Sequence, residues 1–598
     1  MVYNMERNKI SKINPEQRLR FLKTCGRVIA VSAILILIGF SYQKTIVKET
    51  AYFWQIDPEK CISCGRCATA CVLPVSAVKC VHATKVCGYC DLCGGYYRTN
   101  VKELNTAAEN LICPTGAIQR KFVEEPFFEY TINEDLCIGC GKCAKGCNAF
   151  GNGSLYLQIK QELCKNCNEC QIAKICPTGA IKRVPISEAY HLKSTSSQNR
   201  FPKPDFESGY VYPEQHYIVP NEALWSYIDI AMLISLMCFV AWAVIKKQIR
   251  WFVMLTSVVS VAYFGFFRHG CVCSIGAIQN VAMALSSNSY TLPLFVLLLF
   301  LLPIVFTLFF GRVFCAGVCP LGALQELVNI KNYKLSKTVT SILRIFPWIY
   351  LGFAVLFAAT NSRFIICHFD PFVGIFRLGG ELPLILFGML LLIFSVFTGR
   401  PFCRFLCPYG AILSLFSRVS FLRVKITKKD CINCQLCHNA CPVDAIRPPC
   451  ENKVKESRLD GVKRILRYLV FLPLMVIAGA TIMYMLSDKF SKVHKEVQLY
   501  DEVIQNETQP QEIQSLELQA FYGQGKTVKD IEAQIVGIKK EFRLYCGMIG
   551  AFFGLLIALT LINLSVKRTR KQYTIDEANC INCGRCFSYC PQNQNNKK

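Results

Sequence analysis

The stretch Cys61-Ile-Ser-Cys64-Gly-Arg-Cys67-Ala-Thr-Ala-Cys71 sets four cysteines at a tight spacing with a glycine beside the second. The Cys-x-x-Cys-x-x-Cys triplet recurs in three further runs before residue 180, and two runs end in Cys-Pro-Thr-Gly-Ala-Ile. Two-residue spacing lets one tight loop reach three iron corners of a cubane, while a fourth thiolate comes from elsewhere in the chain. We therefore predict four [4Fe–4S] sites, with the ligands Cys61, Cys64, Cys67 and Cys71; Cys87, Cys90, Cys93 and Cys113; Cys137, Cys140, Cys143 and Cys147; and Cys164, Cys167, Cys170 and Cys176.

The fourth ligand of each site is expected to come from a different run. In two-cluster ferredoxins the fourth cysteine of each run serves the other cluster. Pairing the outer runs together and the inner runs together gives Cys176 to the first run and Cys71 to the fourth. By the same scheme, Cys147 serves the second run and Cys113 the third. Cys80 is an alternative to one ligand of the four sites.

Disulfides and zinc are the competing interpretations of these runs. Disulfide frameworks are common outside the cytoplasm, but they do not require four triplets at one spacing. Zinc binds Cys-x-x-Cys pairs, but tight triplets followed by Cys-Pro fit cubanes better. Iron–sulfur chemistry is the preferred interpretation.

Composition points to a membrane protein. The chain has 598 residues, of which 52% are hydrophobic and 18% charged, whereas soluble proteins carry about 25% charged residues. This excludes an ordinary soluble enzyme and a disordered chain. The formal charge of +26 counts every thiol as neutral, so cluster binding reduces it, and we predict no nucleic-acid partner.

Eight apolar stretches are long enough to span a bilayer, at 24–43, 226–245, 251–267, 291–310, 345–360, 382–398, 466–486 and 546–566.

The distribution of Lys and Arg predicts the orientation. It places both chain ends in the cytoplasm and residues 44–225 outside the inner membrane, with 24–43 as an uncleaved anchor rather than a signal peptide. The fold class is an α-helical polytopic membrane bundle with α+β ferredoxin-like domains on both sides. The predicted domains are an anchor at 1–50, an extracytoplasmic four-cluster domain at 51–210, a membrane domain at 220–425, ferredoxin halves at 426–465 and 567–598, and a hairpin at 466–566 with an extracytoplasmic loop at 487–543.

Two further runs predict a second ferredoxin, split by that hairpin. They are Cys431, Cys434, Cys437 and Cys441, and Cys580, Cys583, Cys586 and Cys590. Two spans separate them, so both lie on one face, where Cys590 completes the first site and Cys441 the second. The segment Cys434-Gln-Leu-Cys437-His438 also matches a c-type haem attachment motif, but it lies inside a cubane run, and haem is rejected.

Seven cysteines border the apolar stretches. Two spans separate the Cys-x-x-x-Cys-Pro segments that follow Gly311-Arg312 and Gly399-Arg400, so Cys315, Cys319, Cys403 and Cys407 are expected at the cytoplasmic edge as one metal site or as thiol pairs. A similar segment carries Cys271 and Cys273, which with Cys367 are expected at the outer edge.

The group of Cys271, Cys273 and Cys367 has two interpretations. The three thiolates hold a cluster with His368, His269 or Asp370, or they are buried unliganded thiols. Redox centres within the roughly 30 Å hydrocarbon layer would carry electrons across it. The remaining cysteines are interpreted as packing residues: Cys25, Cys80, Cys238, Cys450 and Cys546.

These motifs resemble known families. Residues 57–190, with Cys87-Gly-Tyr-Cys90-Asp-Leu-Cys93, are similar to the NapG-type four-cluster periplasmic ferredoxins. Residues 226–598, with paired Gly-Arg and Cys-x-x-x-Cys-Pro segments, resemble the NapH and NosR polyferredoxins, so the whole looks like a NapG–NapH fusion. The resemblance does not account for loop 487–543, and the chain lacks the D-x-x-S-G-A-T-type threonine site for covalent flavin, which argues against a nitrous-oxide role.

The resemblance implies electron transfer from quinol or a cytoplasmic donor to an extracytoplasmic oxidoreductase or electron carrier, as an electron-transfer subunit of quinol dehydrogenase type in contact with membrane lipid. About six to eight [4Fe–4S] clusters are expected, with a quinone as a further candidate cofactor. No catalytic acid, base or nucleophile constellation is evident; Asp229, Glu222 and Asp370 are candidate proton acceptors for quinol. The alternatives are an accessory or regulatory redox protein for maturation of an extracytoplasmic metalloenzyme, and a structural zinc or disulfide protein.

Overall fold

The computed structural model describes most of the chain in segments. These are residues 22–36, 52–71, 73, 75–82, 86–87, 113–125, 127–151, 153–164, 170–185, 205–211, 224–270, 272–287, 290, 292–330, 332–377, 382–426, 431–450, 458–508, 515–523, 527–566, 570 and 572–592. The chain divides into two compact units. The cysteine-run unit is Lys48–Ala223 with Gln498–Gln534, and the helical unit is Met1–Val47, Leu224–Val497 and Ile535–Lys598.

Short antiparallel strands frame the cysteine-run unit. Tyr52–Ile56 pairs with Ile181–Pro185, and Val78–His82 pairs with Leu155–Ile159. The strands that flank the first and fourth runs therefore pair with each other, as the outer-with-outer scheme requires. A second sheet holds Val86–Cys87, Phe127–Ile132 and Ile118–Glu124 in that spatial order. The helices are Arg66–Ala70, Lys142–Phe150, Gln171–Ile175, Leu516–Gly523 and most of Lys495–Thr508.

Cysteines form part of the core of this unit because its strands are too short to fill it. Leu155–Ile159 is buried along its whole length, and it packs with the buried side chains of Cys143 and Cys147. Part of the loop that the sequence left without an assignment belongs to this unit, since Glu517 forms an ion pair with Arg66 of the first run.

Five helices of the helical unit are long and apolar enough to cross a membrane: Trp225–Lys247, Arg250–Phe267, Thr338–Ala359, Leu459–Met485 and Ile531–Ser565. Three apolar helices are shorter: Ala277–Ser286, Leu294–Phe310 and Leu382–Phe397. A further helix covers 22–36, and residues 37–43 of the predicted anchor lie outside the described residues. The chain therefore carries several candidate spans, while the predicted number of eight is not established by these helices.

The remaining elements of this unit are short. They comprise the helices Pro320–Leu327, Ile365–His368, Val373–Arg377, Pro401–Phe405, Pro408–Ser417, Leu436–Ala440, Ser487–Ser491 and Arg585–Ser588, the π-helical turns Trp242–Lys247, Val261–Phe267 and Phe314–Val318, and the paired strands Ile446–Arg447 and Thr574–Ile575.

Helix Pro320–Leu327 begins beside the middle of a span. The hydroxyl of Ser260 donates to the carbonyl oxygen of Val318 at 2.5 Å, and Ser260 lies ten residues into the helix that starts at Arg250. At 1.5 Å per residue, this point is about 15 Å along that helix. Cys319 therefore lies deep in the bundle, because residues 311–319 turn back into it before the short helix leads out.

Glycines bring the two helices of the C-terminal hairpin together. A side chain at Gly550 would strike the backbone of Gly479, and one at Gly554 would strike the carbonyl of Met475. Small residues allow such close helix crossings in membranes. The crossing holds together the two spans that separate the ferredoxin halves.

Candidate metal centres

The cysteine triplets share one backbone conformation. In the four runs whose loops are described, the residues on either side of the second cysteine adopt left-handed backbone angles; they are Ser63 and Gly65, Gly139 and Gly141, Asn433 and Gln435, and Asn582 and Gly584. This curl is what a loop needs to direct several thiols at one cubane. Gly65 and Gly141 are also sterically required, because a side chain on either would strike the backbone of the opposite loop, at Cys140 or Ser63.

The first run meets its predicted partner. Cys61, Cys64, Cys67 and Cys176 line one cavity in the cysteine-run unit. Burial raises the pKa of Cys67 to about 12, and the nearby thiols of the other three add to this shift. Such thiols are protonated in the metal-free protein, whereas a bound metal deprotonates its thiol ligands.

The fourth run also meets its predicted partner. Burial raises the pKa of Cys170 to about 12, with contributions from the thiols of Cys164 and Cys71. Cys167 of this run lies outside the described residues, as do Cys90 and Cys93 of the second run; for Cys87 only the backbone is described.

The third run is approached by Cys80, a cysteine outside the four runs. The Sγ atoms of Cys80 and Cys143 are 3.3 Å apart, and the N–H of Cys80 donates to the Sγ of Cys137 at 3.4 Å. Cys147 lies close to the same group. The Sγ of Cys113 accepts from the N–H of Ala117 at 3.3 Å, as the Sγ of Cys176 accepts from the N–H of Ala180 at 3.3 Å.

Sequence reasoning placed Cys80 among the packing residues and offered it only as an alternative ligand. Spacing could not select it, because Cys80 lies on the strand Val78–His82, opposite Leu157, outside any triplet. The pairing of this strand with Leu155–Ile159 brings it to the third run.

The split ferredoxin assembles as the ligand exchange requires. The thiols of Cys431, Cys434 and Cys590 lie near Cys437, whose pKa burial raises. Burial likewise raises the pKa of Cys580 to about 12 and that of Cys583 to about 11, and in both cases Cys441 lies close by. The strand pair Ile446–Arg447 and Thr574–Ile575 joins the halves. The Nδ1 of His438 is 2.8 Å from the carbonyl oxygen of Ile446, an arrangement within the ferredoxin fold itself.

Four cysteines converge inside the helical unit. The thiols of Cys315, Cys403 and Cys407 all lie close enough to Cys319 to interact electrostatically with it. The Nε2 of Gln325 donates to the Sγ of Cys403 at 3.5 Å, and the N–H of Gly410 donates to the Sγ of Cys407 at 3.3 Å. The guanidinium of Arg312 lies 3.7 Å from the Sγ of Cys315.

The group of Cys273 and Cys367 is a neighbour of this four-cysteine group, contrary to expectation. The N–H of Gly276 donates to the Sγ of Cys273 at 3.4 Å, and a Cβ on Gly276 would lie 3.2 Å from the Sγ of Cys367. Cys271 lies outside the described residues. Cys273 and Cys319 line one cavity with Phe264 and Phe314. The prediction of sites at opposite edges of the hydrocarbon layer is therefore wrong, because the loops that carry these cysteines fold back into the bundle.

A buried cluster of charges joins the second ferredoxin site to the four-cysteine group. The carboxylate of Glu326 accepts from Arg400 at 2.9 Å, from Arg585 at 2.8 Å and from Arg250 at 3.1 Å. Burial raises the pKa of Glu326, but the three guanidiniums outweigh it, so the net pKa is below the ordinary value. Arg400 is fully buried and lies near both Cys403 and Cys583.

The Gly-Arg pairs are the docking points of the ferredoxin halves. The Nδ2 of Asn582 donates to the carbonyl oxygen of Phe310 at 2.8 Å, and Arg312 donates to the carbonyl oxygen of Ala578 at 3.2 Å. A side chain at Gly399 would strike the backbone of Pro442. Cys315 packs with this ferredoxin as well as with the bundle. The split ferredoxin and the four-cysteine group are therefore direct neighbours.

The three candidate proton acceptors have different surroundings in the structure. Asp229 is buried and already paired, accepting from Tyr263 at 3.0 Å and from Arg268 at 2.7 Å. Glu222 lies outside the described residues. Asp370 is buried, and Tyr350 lies within electrostatic range of Asp370, Cys367 and Cys273.

The cysteine groups fit clusters better than single ions. Among the described residues, no three Cys, His, Asp or Glu side chains converge tightly enough to hold one metal ion. Zinc would draw its thiolates to about 2.3 Å from a common centre, whereas the ligands of a cubane bind separate irons and stand further apart. The left-handed loops and the shared cavity of the first run fit [4Fe–4S] clusters.

Known protein families match these regions. Models described as 4Fe-4S binding domain match residues 292–337 and 381–429, residues 54–71, 424–447 and 573–594, and residues 134–149. An uncharacterised protein of Methanocaldococcus jannaschii is 30% identical over 190 residues, which cover 30% of this chain and 77% of the relative. No solved structure matches the chain.

Two named relatives specify the class. Regulatory protein NosR of Stutzerimonas stutzeri is 30% identical over 32% of this chain and 29% of its own length. Ferredoxin-type protein NapH of Haemophilus influenzae is 30% identical over 25% of this chain and 54% of its own length. The chain belongs to the NapH/NosR-like membrane 4Fe-4S proteins. The predicted resemblance to this family is thus confirmed, as are iron–sulfur binding and the multi-pass membrane character. The chain spans under a third of NosR and about half of NapH.

Proposed function

We propose that this protein moves electrons across the inner membrane, between a quinol or cytoplasmic donor and an extracytoplasmic oxidoreductase or electron carrier. Bound [4Fe–4S] clusters supply one-electron transfer, for which the 31 predicted cysteines, from Cys61 to Cys590, are the proposed ligands. The orientation proposed from charge places the four-run domain outside and the split ferredoxin inside.

One observation carries the proposal: neighbouring thiol groups lead from the split ferredoxin into the bundle. Cys315 packs against the ferredoxin core that contains Cys441 and Cys583, and Cys319 shares a cavity with Cys273. Electron tunnelling decays exponentially with distance, so redox centres must stand close together to conduct. The Cys273 group extends this series one step further through the bundle.

Charged residues give the series its rigidity. Arg400 donates to the carbonyl oxygens of Cys315 and Ala316 while pairing with Glu326. A guanidinium held between anionic clusters also partly neutralises the charge that an added electron creates. We assign Arg400 and Arg312 the role of positioning residues between the second ferredoxin site and the four-cysteine group.

Vesicles test the proposal. Purified protein is reconstituted in liposomes that contain reduced methyl viologen, and cytochrome c is added outside. Wild-type protein should oxidise the entrapped viologen, while Cys407→Ala should fall to the rate of empty vesicles yet keep the iron of its ferredoxin runs. Cys238→Ala is the matched control, because this exposed cysteine belongs to no thiol group in the described part of the chain. Transfer by Cys407→Ala at the wild-type rate would refute the route.

An accessory or regulatory redox role is the second candidate. It is favoured by the similarity to proteins named regulatory protein NosR in two organisms. The same vesicles separate the two functions, because a conduit turns over continuously. Transfer that stops once the clusters have filled would favour the accessory role.

A further inference from the structure

The two cysteine groups of the bundle are built as an internal repeat. The first group contains Cys273 and Cys367, and the second is the four-cysteine group. In the first group, Gln279 accepts from the N–H of Ile366 at 2.7 Å, immediately before Cys367. In the second, Gln325 accepts from the N–H of Phe402 at 3.1 Å, immediately before Cys403. Both glutamines are fully buried. A buried amide thus fixes the backbone beside one cysteine in each group.

The glycines repeat in the same way. Gly276 and Gly322 lie three residues before those glutamines and three residues after Cys273 and Cys319, respectively. A Cβ on Gly276 would lie 3.2 Å from the Sγ of Cys367, and one on Gly322 would lie 3.4 Å from the Sγ of Cys403. Cys273 and Cys367 are therefore the counterparts of Cys319 and Cys403.

The repeat leaves one ligand of the second group without a cysteine counterpart. There the chain reads Cys403-Arg-Phe-Leu-Cys407-Pro408-Tyr409; in the first group it reads Cys367-His-Phe-Asp370-Pro371-Phe372. An Asp-Pro stands where the second group has Cys-Pro, and a short helix follows each. The spacing in the first group is one residue shorter.

The position of Asp370 agrees with the correspondence. Its carboxyl group is buried, and its Oδ1 accepts from the N–H of Phe372 at 2.9 Å, much as Cys407 accepts from Gly410. Tyr350 lies within electrostatic range of Asp370, Cys367 and Cys273 together. Both acceptors therefore sit just before a helix.

The histidines considered from the sequence fit less well. The Nε2 of His368 is 3.2 Å from the guanidinium of Arg363, and its ring packs edge-on against Phe369. The position of His368 corresponds to Arg404 in the second group, which pairs with Asp444 rather than with a thiol. His269 precedes the cysteines of the first group and has no histidine counterpart in the second.

We propose that Asp370 is a carboxylate ligand of an iron–sulfur cluster held by Cys273 and Cys367, in the place that Cys407 takes in the neighbouring group. The proposal rests on the function above. Among the sites proposed here, this cluster alone has a mixed ligand set. Oxygen is a harder ligand than sulfur, so the iron at Asp370 should be the one most readily removed by a chelator.

Two substitutions separate ligation from helix capping. Asparagine at 370 keeps a side-chain oxygen for the N–H of Phe372 but loses the anionic ligand. Cysteine loses much of the cap but supplies a thiolate. If Asp370 is a ligand, Asp370→Cys should keep the wild-type iron and sulfide content and resist chelation, while Asp370→Asn should lose about one to four iron atoms per protein. If Asp370 only caps the helix, Asp370→Asn should instead keep more iron than Asp370→Cys.

The measurements are iron and labile sulfide per purified full-length chain, and the EPR signals of the ferredoxin clusters as a check on folding. Cys273→Ala should lose about four iron atoms, and His368→Gln should lose none. Full loading of Asp370→Asn, or loss of iron from Asp370→Cys with intact ferredoxin signals, would overturn the proposal. Wild-type protein without iron would instead refute the proposed function itself.

Discussion

Glu326 offers the sharpest test of how the ferredoxin is fixed to the bundle. Its side chain is 2% exposed and pairs with Arg400 at 0% and with Arg585 at 7% exposure. Removing one partner of a buried ion pair costs about 3–5 kcal/mol, because the other charge stays buried without compensation. Glu326→Gln leaves the guanidiniums of Arg400 and Arg585 buried without a compensating charge. We expect the free energy of unfolding to fall by about 3–5 kcal/mol.

The matched control is Glu577→Gln. Glu577 is 27% exposed and pairs with Lys23 at 2.8 Å and with Arg423 at 2.5 Å. Because solvent reaches all three side chains, it screens the charges that the substitution leaves, and we expect a loss of about 1 kcal/mol or less. Urea-dependent pulse proteolysis in detergent measures both variants. Cleavage near Arg585 should also appear at lower urea in Glu326→Gln. Equal losses in the two variants would refute the reasoning.

The pH dependence provides an internal check. The pKa of Glu326 is lower in the folded protein than its ordinary value of 4.5. The stabilisation is therefore complete well above pH 4.5 and disappears as the pH falls through the lowered folded pKa. The difference in unfolding free energy between wild type and Glu326→Gln should shrink over the same acidic range. A difference that stays constant below pH 4.5 would show that the carboxylate charge is not its source.

Three further predictions follow from the described contacts. Gly554→Leu should force the hairpin helices apart and lower the iron content of the split ferredoxin, whereas Gly547→Leu should not, because nothing lies within 4 Å of a Cβ there; equal iron in both would contradict the crossing. Cys590→Ser should remove about four iron atoms and one ferredoxin EPR signal while the second ferredoxin signal persists, and loss of both signals would count against the ligand exchange. Cys80→Ser should lower the iron at the third run, where the structure brings this thiol to Cys143; full iron in Cys80→Ser together with loss of iron in Cys113→Ser would instead favour the ligands predicted from the sequence.

Local chemistry made much of the site predictable. The triplets fix which cysteines share a loop, and the rule of exchanged fourth ligands led to the neighbourhoods seen for Cys176, Cys71, Cys590 and Cys441. Cys80 was offered only as an alternative ligand, because its approach to the third run depends on strand pairing, which spacing does not encode.

Depth in the membrane was not predictable from hydropathy. An apolar segment that re-enters the bundle has the same composition as one that crosses it, so Cys273 and Cys319 were assigned to opposite edges although they line one cavity. The family and the iron–sulfur chemistry followed from motifs, and the family matches confirm them. The Glu326 cluster gave no signal in the sequence, because its members lie at residues 250, 326, 400 and 585.

The split ferredoxin also has a consequence for biosynthesis. Its two cysteine runs are separated by about 140 residues, which a ribosome adds in roughly ten seconds or more. During that interval the first run has no Cys590, the second site does not exist, and Arg585 is not yet available to Glu326. The proposed electron path is therefore complete only after residue 590 has been added, so an unfinished chain offers no complete route for electrons through this ferredoxin.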